Sequence, residues 1–216
     1  VLKGVPLSAA ARGALGDVLV PLAWKRGDFA AVKEIATQLG CAQNYRVTGP
    51  FGPRELLGFD EKPRIDPAQP LAADYDLGPS RGRRPTRLMQ TRACSVHLGG
   101  GPVADGGLSY AETSVRIRTQ GEYVVRLDTP NSVELYVDGK SVLRVDRRRV
   151  LGARVVFHKL ALAPGDHRVV LAVASRHPNP VLELAVTPLV AADGSLAAAR
   201  KPALNGIDLH LAVAVS

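Results

Sequence analysis

The sequence predicts a mainly β protein, an antiparallel two-sheet β-sandwich of jelly-roll type, preceded by an α-helical hairpin. Three observations lead there. Asp138-Gly139, the dipeptide that most favours a tight primed turn, sits between the alternating runs Val133-Leu135-Val137 and Val142-Arg144 with Val145. Strand-like patterns then recur at the close spacing of a sandwich, with Gly, Pro, Asp or Asn at most joints. Before Cys41 the texture differs, because apolar residues there recur at three- and four-residue steps.

Taken in order, residues 8 to 39 read as helical, with Leu15, Val18, Leu19, Leu22 and Ala23 in phase, a break at Gly27-Asp28, and a second run from Phe29 to Leu39 that ends on Gly40. Tyr45 to Thr48 reads as a short strand. From residue 50 to 85 the chain is dense in Pro, Gly and Asp, yet it carries Phe51, Leu56, Leu57, Phe59, Ile65, Leu71, Tyr75 and Leu77. That is too many apolar anchors for a linker, so an ordered segment wrapping the sandwich is expected.

Eight strands are then expected over residues 88–98, 108–119, 123–127, 132–137, 141–145, 154–162, 167–174 and 181–186. The three in the middle are expected to follow one another as a meander, joined by Asp128-Thr129-Pro130-Asn131 and by Asp138-Gly139. The division that results is a helical hairpin over 1–41, a sandwich over 42–188, and a C-terminal linker over 189–216 that begins a further helix or an edge strand. Trp24, the sole Trp, is expected to pack the helices onto the sandwich.

Length and charge bound the function. At 216 residues the chain can bury a substantial core, and it has no apolar run near the roughly 20 residues that a membrane helix needs. Of 28 basic residues 21 are Arg, scattered over the whole length, and they give a net charge of +8. The local concentrations are Arg81, Arg83 and Arg84 and the run Arg147, Arg148 and Arg149, a patch that an acidic partner would fit. Nucleic acid is disfavoured, because one Trp, five Tyr and four Phe leave the basic runs without stacking platforms. Cys41 and Cys94 have no metal-type spacing; they pair as a disulfide in an oxidising compartment or remain two buried thiols.

No catalytic motif is present. His97, His158, His167, His177 and His210 stand in no nucleophile motif, Gly99-Gly100-Gly101-Pro102 lacks the Lys and helix start of a phosphate cradle, and Asp60, Glu61, Asp66, Asp74 and Asp76 read as solvated loop carboxylates. No enzyme, metal or cofactor is expected.

Several phrases resemble known families. The spacing of Leu22-Ala23, Gly27-Asp28-Phe29 and Ala31-Val32 resembles the helical hairpin of tetratricopeptide repeats. Residues 45–59, Tyr110-Ala111-Glu112-Thr113, the run VELYVDGK over 133–140 and LAPGDHRVV over 162–170 resemble the β-sandwich found beside such repeats in large bacterial proteins. VELYVDGK is also similar to the central hairpin of protective-antigen-like sandwiches, which in adhesins and glycosidases bind sugars through calcium. Two adjacent Asp residues hold the ion in that family, where this chain has Thr129-Pro130-Asn131-Ser132. The resemblance implies a non-catalytic interaction or scaffold module of a larger bacterial protein, with protein partners or neighbouring domains, in the periplasm or cell envelope. A carbohydrate-binding module is the alternative.

Overall fold

A computed structural model describes residues 9–51, 59, 63, 65–79, 82–91, 93–99, 107–147, 154–177 and 179–189. Leu56, Leu57, Asp60, Glu61, Arg81, Arg148, Arg149, His210 and the segment 190–216 lie outside the described residues.

Two helices come first, α1 over Ala9–Lys25 and α2 over Phe29–Gln38. The Asp28 carboxylate caps α2 by accepting from the Ala31 amide at 2.9 Å, and Gly40, at φ 72°, turns the chain out of it. Twelve strands follow: β1 (Asn44–Thr48), β2 (Asp74–Asp76), β3 (Arg83–Pro85), β4 (Arg87–Gln90), β5 (Ser95–His97), β6 (Gly107–Ile117), β7 (Gly121–Asp128), β8 (Ser132–Val137), β9 (Lys140–Val145), β10 (Val155–Leu162), β11 (Gly165–Ser175) and β12 (Val181–Pro188). A six-stranded sheet has the order β4-β1-β6-β11-β8-β9 and a four-stranded sheet the order β10-β7-β12-β5, all pairs antiparallel. The fold is therefore the antiparallel two-sheet sandwich. Among the described residues no helix is long and apolar enough to cross a membrane.

The period-two pattern decides which side chains fill the space between the sheets. Val133, Leu135 and Val137 of β8 and Val169, Leu171 and Val173 of β11 meet Val125 and Leu127 of β7 and Leu182 and Leu184 of β12 in a continuous apolar core. The Asp138-Gly139 turn joins β8 to β9 with both residues at positive φ, 50° and 81°, as a type I′ turn demands.

Three expectations are corrected. The meander does not form: β7 pairs with β10 and β12, not with β8. Thr129 fixes the crossing between sheets, donating through its hydroxyl to the Val181 carbonyl and through its amide to the Arg154 carbonyl. Residues 88–98 are two strands in different sheets rather than one, because the chain folds over at Thr91–Ala93, where the Thr91 hydroxyl and Ala93 backbone bond each other. Trp24 does not pack on the sandwich. It is 51% exposed at the tip of the hairpin, edge-on to Phe29 with ring centroids 5.1 Å apart, because smaller residues of α1 make the contact with the sheet.

Both sheets carry a further layer outside. On the six-stranded sheet, the segment after β1 lays Phe51, Phe59, Ile65, Leu71 and Leu77 over Leu108, Tyr110, Tyr136, Val170 and Ala172. The short hairpin β2-β3, absent from the sequence expectations, lies in this segment. On the four-stranded sheet the outer layer is the helical hairpin.

Candidate functional site

The helical layer is anchored at one end and propped at the other. Cys41 and Cys94 form a disulfide with Cα atoms 5.1 Å apart, tying the link after α2 to the start of β5. Backbone bonds from Val186 to Gly40 and from Ala42 to Leu184 continue the attachment onto β12. Leu39, Ala36 and Cys94 pack together beneath α2. In α1, Gly16 faces Leu39, and a Cβ there would stand 2.4 Å from a Leu39 methyl. A Cβ at Gly13 would stand 3.0 Å from Nε of Arg126. The helix lies as close to the sheet as backbone allows.

Beneath α1 the outward positions of the four-stranded sheet carry charge. Arg126 of β7 is only 9% exposed. Its guanidinium donates to Glu183 of β12 at 3.2 Å and reaches Asp17 of α1 and Asp128 of β7, each at 3.4 Å. Ser95 of β5 donates its hydroxyl to the other oxygen of Glu183, and Arg154 bonds the other oxygen of Asp128 at 2.5 Å. Burial raises the pKa of Asp17; Arg126 pulls it back, and Glu183 and Asp128 add to the rise. Between this network, the cystine and the inner face of α1 lies a cavity of about 250 Å³.

The opposite face of α1 is apolar as well. Leu15, Val18 and Leu22, at i, i+3 and i+7, are exposed, Val18 to 57%. Trp24 and Phe29 extend the apolar surface around the hairpin tip.

The residues singled out from sequence are dispersed by the fold. Arg83 pairs with Asp74 across β2-β3, and Arg84 is half-buried beside it on β3. Arg147 is turned inward: its guanidinium donates to the backbone carbonyls of Thr129 and Arg154, and burial lowers its pKa. It staples the chain where it leaves one sheet for the other. Asp138 holds His167 at 2.7 Å and the Arg168 amide at 2.9 Å, while the second ring nitrogen of His167 lies 2.8 Å from the Ala163 carbonyl. His97 is exposed, with Asn179 at 3.5 Å, and His177 is exposed in the turn after β11. The Asp128 carboxylate, at the end of β7, is taken up by Arg126 and Arg154, and the Asn131 amide by Thr129 and the Val181 carbonyl. Asp66 and Asp76 accept backbone amides two residues on.

Sequence reasoning did not assemble Asp17, Ser95, Arg126 and Glu183. Ser95, Arg126 and Glu183 stand at outward positions of their strands, where a polar residue reads as solvated, and Asp17 reads as a solvated helix residue. The signal available was Arg126 itself, an Arg between Val125 and Leu127 in the apolar middle of its strand, which needs a counter-charge wherever it is covered.

No family model and no curated protein matches the chain. Among solved structures, the β-glucosidase from Kluyveromyces marxianus in complex with glucose aligns with 69% of this chain and 16% of its own at 13% identity, TM-score 0.43. The PA14 domain of the MpAFP antifreeze protein aligns with 68% of this chain and 81% of its own at 12% identity, TM-score 0.37. The PA14 sugar-binding domain from an RTX adhesin aligns with 44% of this chain and 70% of its own at 13% identity, TM-score 0.28. The chain spans 11 to 16% of the length of the β-glucosidases it matches. At TM-scores this low the likeness carries no argument about a site here.

Proposed function

We propose that the chain is a non-catalytic interaction module of a larger bacterial protein, in which the sandwich is the platform and the helical hairpin the docking element. The observation that carries the reading is the outer stripe of α1, Leu15, Val18 and Leu22, exposed on the face opposite the sandwich. A helix that is apolar on two opposite faces belongs between two layers, and the sandwich supplies one of them. The 3-4 spacing of the stripe matches the seam by which one helix accepts another. Its partner is a helix with a complementary apolar seam, as a neighbouring tetratricopeptide-type hairpin would present. The cystine favours an oxidising compartment such as the cell envelope.

A photo-crosslinking residue placed at Val18, with Leu88 as an exposed control on the far sheet, tests this in the parent protein. Adducts at 18, absent at 88 and lost on Leu15→Glu with Leu22→Glu, support the docking role; equal adducts at both positions remove it. A glycan array with and without calcium stays blank for the interaction module and shows calcium-dependent binding for the carbohydrate alternative.

A further inference from the structure

The cavity on the inner face of α1 is separate from that stripe and does not depend on it. Groups from four elements converge there: Asp17 from α1, Arg126 from β7, Glu183 from β12 and Ser95 from β5. The remaining walls are small or apolar, among them Val20, Leu39, Ala93, Ala185 and the cystine. Convergent polar groups in an otherwise apolar hollow are the general mark of a ligand site.

Charge decides what class of ligand fits. Asp17, Asp128 and Glu183 bring three negative charges to the network, and Arg126 and Arg154 bring two positive ones, which leaves one carboxylate in excess. Arg126 cannot receive an anion, since its fork already faces three carboxylates. The excess falls on the solvent side, at Asp17, whose side chain is 63% exposed and whose bond to Arg126 is long at 3.4 Å.

Asp17 already turns one oxygen to Arg126, which suits a compact ammonium better than a planar guanidinium, since the latter needs two parallel acceptors. The volume is also informative. A cavity of about 150 Å³ accommodates a benzene-sized guest, so 250 Å³ takes an alkyl chain of about five carbons together with its charged end.

We propose that this cavity binds a primary ammonium carried on a short alkyl chain, its methylenes against the cystine and Val20 and its charge at the Asp17 carboxylate. The chemistry is shared by a free alkyl diamine and by a lysine side chain of a protein, and the test separates them. Isothermal titration of the whole chain is run with 1,5-diaminopentane, with Nα-acetyl-lysine methylamide, and with pentan-1-ol and pentanoate as neutral and anionic counterparts. Saturable one-to-one binding of an amine, with neither counterpart binding, is expected. Binding of the diamine alone assigns a free amine, and binding of the lysine amide assigns a protein side chain. Asp17→Asn, on an exposed helix position, should weaken the amine about tenfold with the melting temperature unchanged, and Ala185→Leu, which fills the cavity, should abolish binding. Absence of saturable binding for both amines, pentanol binding as tightly, or full affinity in Asp17→Asn would each overturn the proposal.

Discussion

The outer faces of the two sheets are covered in opposite ways. Over the six-stranded sheet the described residues of the segment after β1 make an apolar, partly aromatic layer, with Phe51 edge-on to both Tyr75 and Tyr110 at 5.7 and 5.9 Å. The charges of the sheet beneath it are turned to the segment: Glu112 accepts the Leu71 amide at 3.1 Å and the Arg46 guanidinium at 3.1 Å, and Arg46 and Arg168 reach on to the Leu71, Gln69 and Pro67 carbonyls. Over the four-stranded sheet a regular helix meets a layer of ion pairs and leaves a hollow. A flexible chain bends to fill a surface, whereas a straight helix touches only where its side chains are smallest, here Gly13 and Gly16. The first cover is filled with apolar side chains; the second leaves an exposed carboxylate and a hollow.

Removing the disulfide tests the comparison hardest. Cys41 and Cys94 are 53 residues apart, and opening a loop of that size costs about 4 kcal/mol in the chain-entropy treatment. Cys41→Ala with Cys94→Ala should show that loss in denaturant unfolding; a loss within error would mean that the helical cover stands without its clamp. The aromatic cover has no such clamp, and Glu112 takes that role. Glu112→Ala leaves Arg46 and Arg168 without their buried counter-charge and frees the Leu71 amide, with an expected loss of about 3 kcal/mol and faster proteolysis within residues 65–79. Unchanged proteolysis would show that the aromatic contacts alone hold the segment.

A smaller effect comes where that segment touches the central turn. A Cβ on Gly139 would lie 2.8 Å from the Ala68 Cα, and the φ of 81° is strained for any β-branched residue, so Gly139→Val should cost about 2 kcal/mol. A melting temperature equal to the parent's would dismiss both the strain and the contact.

The smallest expected effect is on pH dependence at the same turn. Burial works against the charge of Asp138, but bonds from His167 and the Arg168 amide outweigh it and leave its pKa below the ordinary carboxylate value. The bond to the Ala163 carbonyl and then the Asp138 carboxylate hold the pKa of His167 above its usual value, against burial. A raised histidine contributes stability fully below about pH 6.5 and loses it as pH climbs through the folded value; a lowered carboxylate contributes above about pH 4 and loses it as pH falls. Asp138 is half exposed and screened by solvent, so the gain in that window stays under about 1 kcal/mol. Asp138→Asn should flatten the dependence of the melting temperature between pH 6 and 8; a slope unchanged from the parent's would show that the pair does not contribute.

The sequence by itself determined the elements. Period-two alternation placed β6 to β12, and Asp138-Gly139 placed the hairpin β8-β9, because those signals are local. The helical hairpin was legible for the same reason, in its apolar steps and in the Gly27-Asp28 break. Tertiary structure alone decided which sheet each strand joins. The loop Asp128-Thr129-Pro130-Asn131 serves equally as a turn or as a crossing, and only its bonds to Val181 and Arg154, partners 20 residues or more away in sequence, select the crossing. It also decided which charges are covered. Arg126 and Glu183 alternate outward in their strands like any solvated pair, and they became a buried network only when α1 came down on them. Burial of an outward face depends on what packs over it, and that information lies more than a hundred residues away from Arg126, in two glycines of a helix.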